Sequence, residues 1–157
     1  MDDKAKTLNR EQHQQVGIEL YNLAWEYLEK TDRSDADNDH MLHAAHASCW
    51  HWLQCGTELN HARGLWQIAR IYAELRWGEM ALHFAKACLR ICEENGYGDF
   101  DFAYALEQVA RAYGVLGDKA ECEEYILRAK EAAKGISHES DREYFLKELA
   151  TVQVFSE

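Results

Sequence analysis

Residues 65–72 read Leu65-Trp66-Gln67-Ile68-Ala69-Arg70-Ile71-Tyr72, and their Leu-x-x-Ile-Ala-x-x-Tyr order returns elsewhere in the chain. It stands as Leu20-x-x-Leu23-Ala24-x-x-Tyr27 and as Leu106-x-x-Val109-Ala110-x-x-Tyr113. A fourth copy, Leu146-x-x-Leu149-Ala150, has Gln153 in place of the tyrosine. The leading leucines are 45, 41 and 40 residues apart, a period that marks stacked helical hairpins. Offsets 0, 3, 4 and 7 share one helical face, where a small alanine lets a neighbouring helix approach and the tyrosine fills the space above it. The intervening helices repeat in the same register: Leu42-His43-Ala44-Ala45-His46-Ala47 aligns with Leu82-His83-Phe84-Ala85-Lys86-Ala87 at a step of 40.

Working outward, the periodicity predicts helices near 9–30, 38–55, 59–76, 78–94, 99–116, 118–134 and 139–154. Asp118 with Glu121 and Ser140 with Glu143 have the spacing of capping boxes, and Asp99 or Asp101 is placed to cap the fifth helix. The acidic stretch Asp35, Asp37, Asn38, Asp39 precedes the second, so 31–39 reads as the longest loop. A hairpin alone cannot bury its apolar face; three stacked hairpins can, with the seventh helix, which lacks the tyrosine, as a terminal cap.

Composition agrees. The 157 residues are 47% hydrophobic, enough for one domain spanning 1–157 with its own core. There is no proline among them, and a many-stranded fold would use more turn and strand punctuation. Glycine takes over as the helix stop: Gly56, Gly96 and Gly135 end successive repeats, while Gly78 and Gly117 mark turns inside two of them. The formal net charge of −11 opposes non-specific contact with nucleic acid or an anionic membrane. Residues 1–60 carry 5 bases and 11 acids, 61–98 carry 5 and 4, and 99–157 carry 7 and 13, so the middle is nearly neutral. No apolar run is long enough to span a bilayer, and the start Met1-Asp2-Asp3-Lys4 lacks a signal-peptide core. Five cysteines without a CxxC pair read as reduced thiols, and Cys88 and Cys92 as small hydrophobes in an apolar stripe. A cytoplasmic protein is expected.

The large-small-aromatic order of the odd helices resembles the first helix of tetratricopeptide (TPR) repeats, over about residues 16–155. Tyr72 followed by Ala81, Phe84 and Cys88 resembles the family's second helix, and Gly117-Asp118 with Cys122 resembles its turn and small-residue position. The period is longer than the family's 34 residues, and Glu93 and Lys134 stand where its closing proline would be. The stretch 45–52, with Ala62-Arg63 and 95–99, is also similar to small bacterial TPR-like proteins. The resemblance implies an all-α, right-handed stack of three antiparallel hairpins (about 9–56, 57–97 and 98–136) plus a capping helix at 139–154. It also implies a non-enzymatic interaction module or adaptor, without a cofactor, that holds a peptide or protein segment in the groove of the odd helices. Family groove positions fall on Tyr21, Trp25 and Glu29, on Arg63, Trp66, Arg70 and Glu74, and on Tyr104, Glu107 and Arg111.

Arg70 and Arg111 hold the same repeat position, with Arg63 two turns before Arg70. Guanidinium forks beside Trp66 and Tyr104 suit a carboxylate or acidic segment. The same arginines also stand four residues from Glu74 and Glu107, the spacing of ordinary intrahelical pairs.

A second class of reading is a metal-dependent helical enzyme centred on His40, His43 and His46, imidazole ligands on one helix. Against it, a 100° wheel sets Leu42, Ala45, Cys49, Trp52 and Leu53 on the apolar side and the histidines on the other. His83 also recurs at the position of His43, as a surface residue would. No Glu-x-x-His pair or HExxH motif accompanies these histidines, and no phosphate-loop or nucleophile-elbow motif occurs. The run Asp35-x-Asp37-x-Asp39 lacks the glycine and glutamate of a calcium loop. A third reading is a homodimer or larger homo-oligomer, from an apolar patch left by five tryptophans and eight tyrosines.

Overall fold

Each predicted segment becomes a helix in the computed structural model, which describes residues 8–156. The acidic start at 1–4 lies outside the described residues. The helices are α1 (Arg10–Glu29), α2 (Asp35–Cys55), α3 (Glu58–Glu74), α4 (Gly78–Asn95), α5 (Asp99–Leu116), α6 (Lys119–Ala133) and α7 (Glu139–Leu149). Among the described residues there is no strand, and no helix is long and apolar enough to cross a membrane. The fold is all-α.

Side-chain caps fix the starts of α1, α2 and α6, two of them at places the sequence reading did not choose. Asn9 and Gln12 form a reciprocal capping box on α1, and Ser34 with Asp37 does the same for α2. That box starts α2 at Asp35, so the long loop expected over 31–39 shrinks to a short link. Asp118 accepts from the Glu121 amide, one half of the capping box expected there. Ser140 with Glu143 does not cap α7; both lie inside the helix, which begins at Glu139 behind His138. Asp99 sits inside the first turn of α5, where its carboxylate accepts from the Phe100 amide at 2.7 Å and from the Ser137 hydroxyl at 2.5 Å.

Helix ends show which glycines are needed for their backbone. Gly96 and Gly117 adopt left-handed φ of 66° and 76°, the conformation that glycine takes at least cost. In the turn before α4 the left-handed residue is Arg76, with φ 64°. Gly78 is instead the first residue of α4, where an added Cβ would lie 2.8 Å from Leu116 carbons. The expected end of α7 is also revised. The helix stops at Leu149; a turn at Ala150 and Thr151 follows, and further on the Phe155 amide donates to the Gly114 carbonyl at 2.9 Å.

The chain divides into two compact units, Met1–Gly64 and Leu65–Glu157, with the boundary inside α3. In the first, α1 packs along α2; Ala24, Met41, Ala44, Ala45 and Cys49 are buried there, Cys49 against Gly64 of α3. The Ser48 hydroxyl donates to the Gly17 carbonyl at 2.7 Å. The buried side of α2 is thus rotated from the expected stripe: Met41, Ala44 and Ser48 turn inward, and Leu53 is 53% exposed. In the second unit α5 packs on both α4 and α6, and α7 leans on α5 and α6. The repeat alanines Ala69 and Ala110 have no exposed surface, and Tyr72 stacks on Phe84 at 5.7 Å with planes 9° apart. The fourth copy of the repeat is turned: α7 buries Phe145 and Leu149 and leaves Leu146 41% exposed.

Candidate functional site

Six of the ten residues read as groove positions, Trp66, Arg70, Glu74, Tyr104, Glu107 and Arg111, gather in the second unit, along α3 and α5 with α7 beside them. Trp66 and Tyr104 meet edge to face at 5.7 Å, and Tyr104 meets Phe145 of α7 at 4.8 Å. These rings wall a polar cluster centred on Glu107, whose side chain has no exposed surface.

Helical spacing brings Arg111 one turn beyond Glu107, and its Nε donates to Glu107 Oε1 at 2.8 Å. A second, shorter contact from Arg111 Nη2 reaches the same oxygen. Nη2 also donates to Thr151 Oγ1 at 2.9 Å and to the Glu148 carbonyl at 3.2 Å. Arg111 is therefore spent on the chain itself. Arg70 differs. Its guanidinium is ringed by Glu74 at 3.5 Å, Glu107 at 3.8 Å and Glu148 at 3.7 Å, distances of ion pairs rather than of hydrogen bonds. Its side chain is 17% exposed, and those of Glu74 and Glu148 are 39% and 31% exposed. Both four-residue pairs expected on the helices form, but as parts of one network of two guanidiniums and three carboxylates.

The electrostatics follow from burial. Removal from water pushes the Glu107 carboxyl above its ordinary range, with Arg111 and then Arg70 pulling it back down. The Tyr104 phenol is pushed well up, first by burial and then by the Glu148 and Glu107 charges. Glu107 Oε2 and both polar ends of the Gln108 carboxamide are buried without a hydrogen-bond partner among the described residues.

Glu148, Thr151 and Phe145 were missed by the sequence reading. The signal was present for two of them: continuing the step of 40 from Gln108 and Arg111 lands on Glu148 and Thr151.

Trp25 and Arg63 belong to the first unit. Trp25 is half-buried and meets Tyr21 edge to face at 6.4 Å. Arg63 lines a cavity of about 250 Å³ with Tyr21, Asn22, Trp52 and Asn60. Trp52 lies against Gly17, where an added Cβ would stand 3.1 Å from the indole nitrogen. Asn60 is oriented by the Thr57 amide, which donates to its Oδ1 at 3.0 Å.

His40, His43 and His46 lie along α2. His40 stacks on Tyr27 at 6.0 Å; His43 and the recurring His83 are exposed; His46 is half-buried, and its pKa is lowered by burial and then by His43. Among the described residues no three His, Cys, Asp or Glu side chains gather as a metal-ligand group. No protein-family model, curated protein or solved structure matches the chain.

Proposed function

We propose that the chain is a non-enzymatic helical interaction module, a TPR-like adaptor, and that its second unit binds a peptide or protein segment bearing a carboxylate. The observation that carries this reading is Arg70: a mostly covered guanidinium held by three carboxylates at ion-pair distance, beside the Trp66–Tyr104 ring pair. An incoming carboxylate forms the short charge-assisted bonds that Arg70 lacks, while Glu74 and Glu148 turn to solvent and Glu107 holds the guanidinium from beneath. The rings supply apolar surface to the rest of the segment. The repeated odd-helix pattern supports the TPR-like assignment, and the five unpaired thiols support a reducing, cytoplasmic setting.

The test is a peptide library presenting free C-terminal carboxylates, Asp or Glu side chains, and their amidated counterparts. Enrichment of the acidic members is expected, with affinity falling about tenfold in Arg70→Ala, the size of a lost charge-assisted bond, while the circular dichroism spectrum is unchanged. No enrichment, or enrichment indifferent to Arg70→Ala, overturns the reading.

A further inference from the structure

Two histidines outside the α2 run at 40–46 are brought together by the fold. His13 stands in the first turn of α1 and His51 in the last turns of α2, so the antiparallel pairing sets them side by side at the end of the hairpin away from its short link. Their Nδ1 atoms are 2.9 Å apart; the ring centroids are 5.1 Å apart with planes tilted by 47°. Both rings are half-buried. The exposed Trp50 meets them edge to face, at 5.6 Å from His13 and 5.1 Å from His51.

Between neutral imidazoles this contact needs one ring to donate Nδ1–H and the other to accept. The same separation has a second meaning. Metal–nitrogen bonds of about 2.0–2.1 Å at angles between square and tetrahedral hold two ligand nitrogens roughly 2.9–3.4 Å apart. The two Nδ1 atoms already stand at the spacing of neighbouring ligands on one ion, and a modest turn of each ring aims both lone pairs at it.

We propose that His13 and His51 form a two-imidazole site for a divalent transition ion of the nickel, copper or zinc class. Each ring gives Nδ1 to the ion, water fills the remaining positions, and the proton once shared between the rings passes to Nε2 of its own ring. A neutral pair therefore takes up the ion with no net release of protons. Imidazole is the ligand these ions prefer, and the excess of acids over bases in residues 1–60 raises the local concentration of cations. The ion clips the beginning of α1 to the end of α2.

The experiment is calorimetric titration of the full chain, free of any affinity tag, with nickel and zinc salts. One ion per chain is expected, with affinity falling about tenfold or more in His13→Ala and in His51→Ala and unchanged in the double variant His43→Ala/His46→Ala. Nickel is also expected to quench a fluorescence component that disappears in Trp50→Phe. If a single-histidine variant fails to fold, zinc-induced shifts of the His13 and His51 ring nitrogens in the wild-type NMR spectrum decide instead. No uptake, uptake that survives both single substitutions, ring signals that ignore zinc, or loss only in the double variant overturns the proposal.

Discussion

Glu107 is a carboxylate with no exposed surface between two guanidiniums, and its side chain makes a pH prediction. Burial raises its pKa above the ordinary 4.5 despite Arg111 and Arg70. The folded chain thus keeps a proton that the unfolded chain has released, so this residue's contribution to stability falls as pH climbs from 4.5 through the raised value. Glu107→Gln preserves the shape and removes the titration. Urea midpoints measured from pH 4 upward are expected to slope less in the variant; an unchanged slope would refute the account. Glu107→Ala strands both arginines and is expected to cost about 3 kcal/mol in the same assay. The pairing of Arg111 with Glu107 was legible in the four-residue spacing. Its burial was not, because that depends on α7 covering α5, and on Glu148 and Thr151 arriving from a helix whose stripe is turned.

At the scale of elements, the existence and order of all the helices could be read from apolar periodicity, because each buries a face against a neighbour. Their ends were less legible. Ser34 starts α2 early because a reciprocal cap with Asp37 competes well with a loop, and the alternating acids Asp35, Asp37 and Asp39 disguised it. The end of α7 depends on a contact distant in sequence. Gly114 lies where an added Cβ would fall 2.1 Å from the Gln153 carbonyl oxygen, so only a glycine lets the segment after α7 lie against α5. Gly114→Ala is therefore expected to release that segment. Hydrogen exchange should show loss of protection at the Phe155 amide while α5 stays protected, and a protected Phe155 in the variant would contradict this. Arg76 takes a left-handed turn usually left to glycine and stacks on the Phe155 ring at 3.3 Å, a second contact on the same segment.

Across the whole molecule the thiols report on integrity. Cys49, Cys88, Cys92 and Cys122 are buried and Cys55 is half-buried. Burial pushes the Cys49 thiol up to about 11 and raises Cys122. The hydrogen bond from Cys88 lowers Cys92 and raises Cys88, but Cys92 is 1% exposed, so access controls its reactivity. At neutral pH one thiol per native chain is expected to react promptly with a disulfide reagent, and Cys55→Ser should abolish that phase. Prompt reaction of further thiols would show that the cores open more readily than their packing implies. The bond from Phe155 to Gly114 has a topological consequence of its own. It closes a ring of chain from 114 to 155, with α6 and α7 wholly inside it. Neither helix can part from α5 together with the segment that follows α7 until that latch opens, so their release becomes a gated event, and residues 152–155 act as the keeper of two helices that they do not belong to.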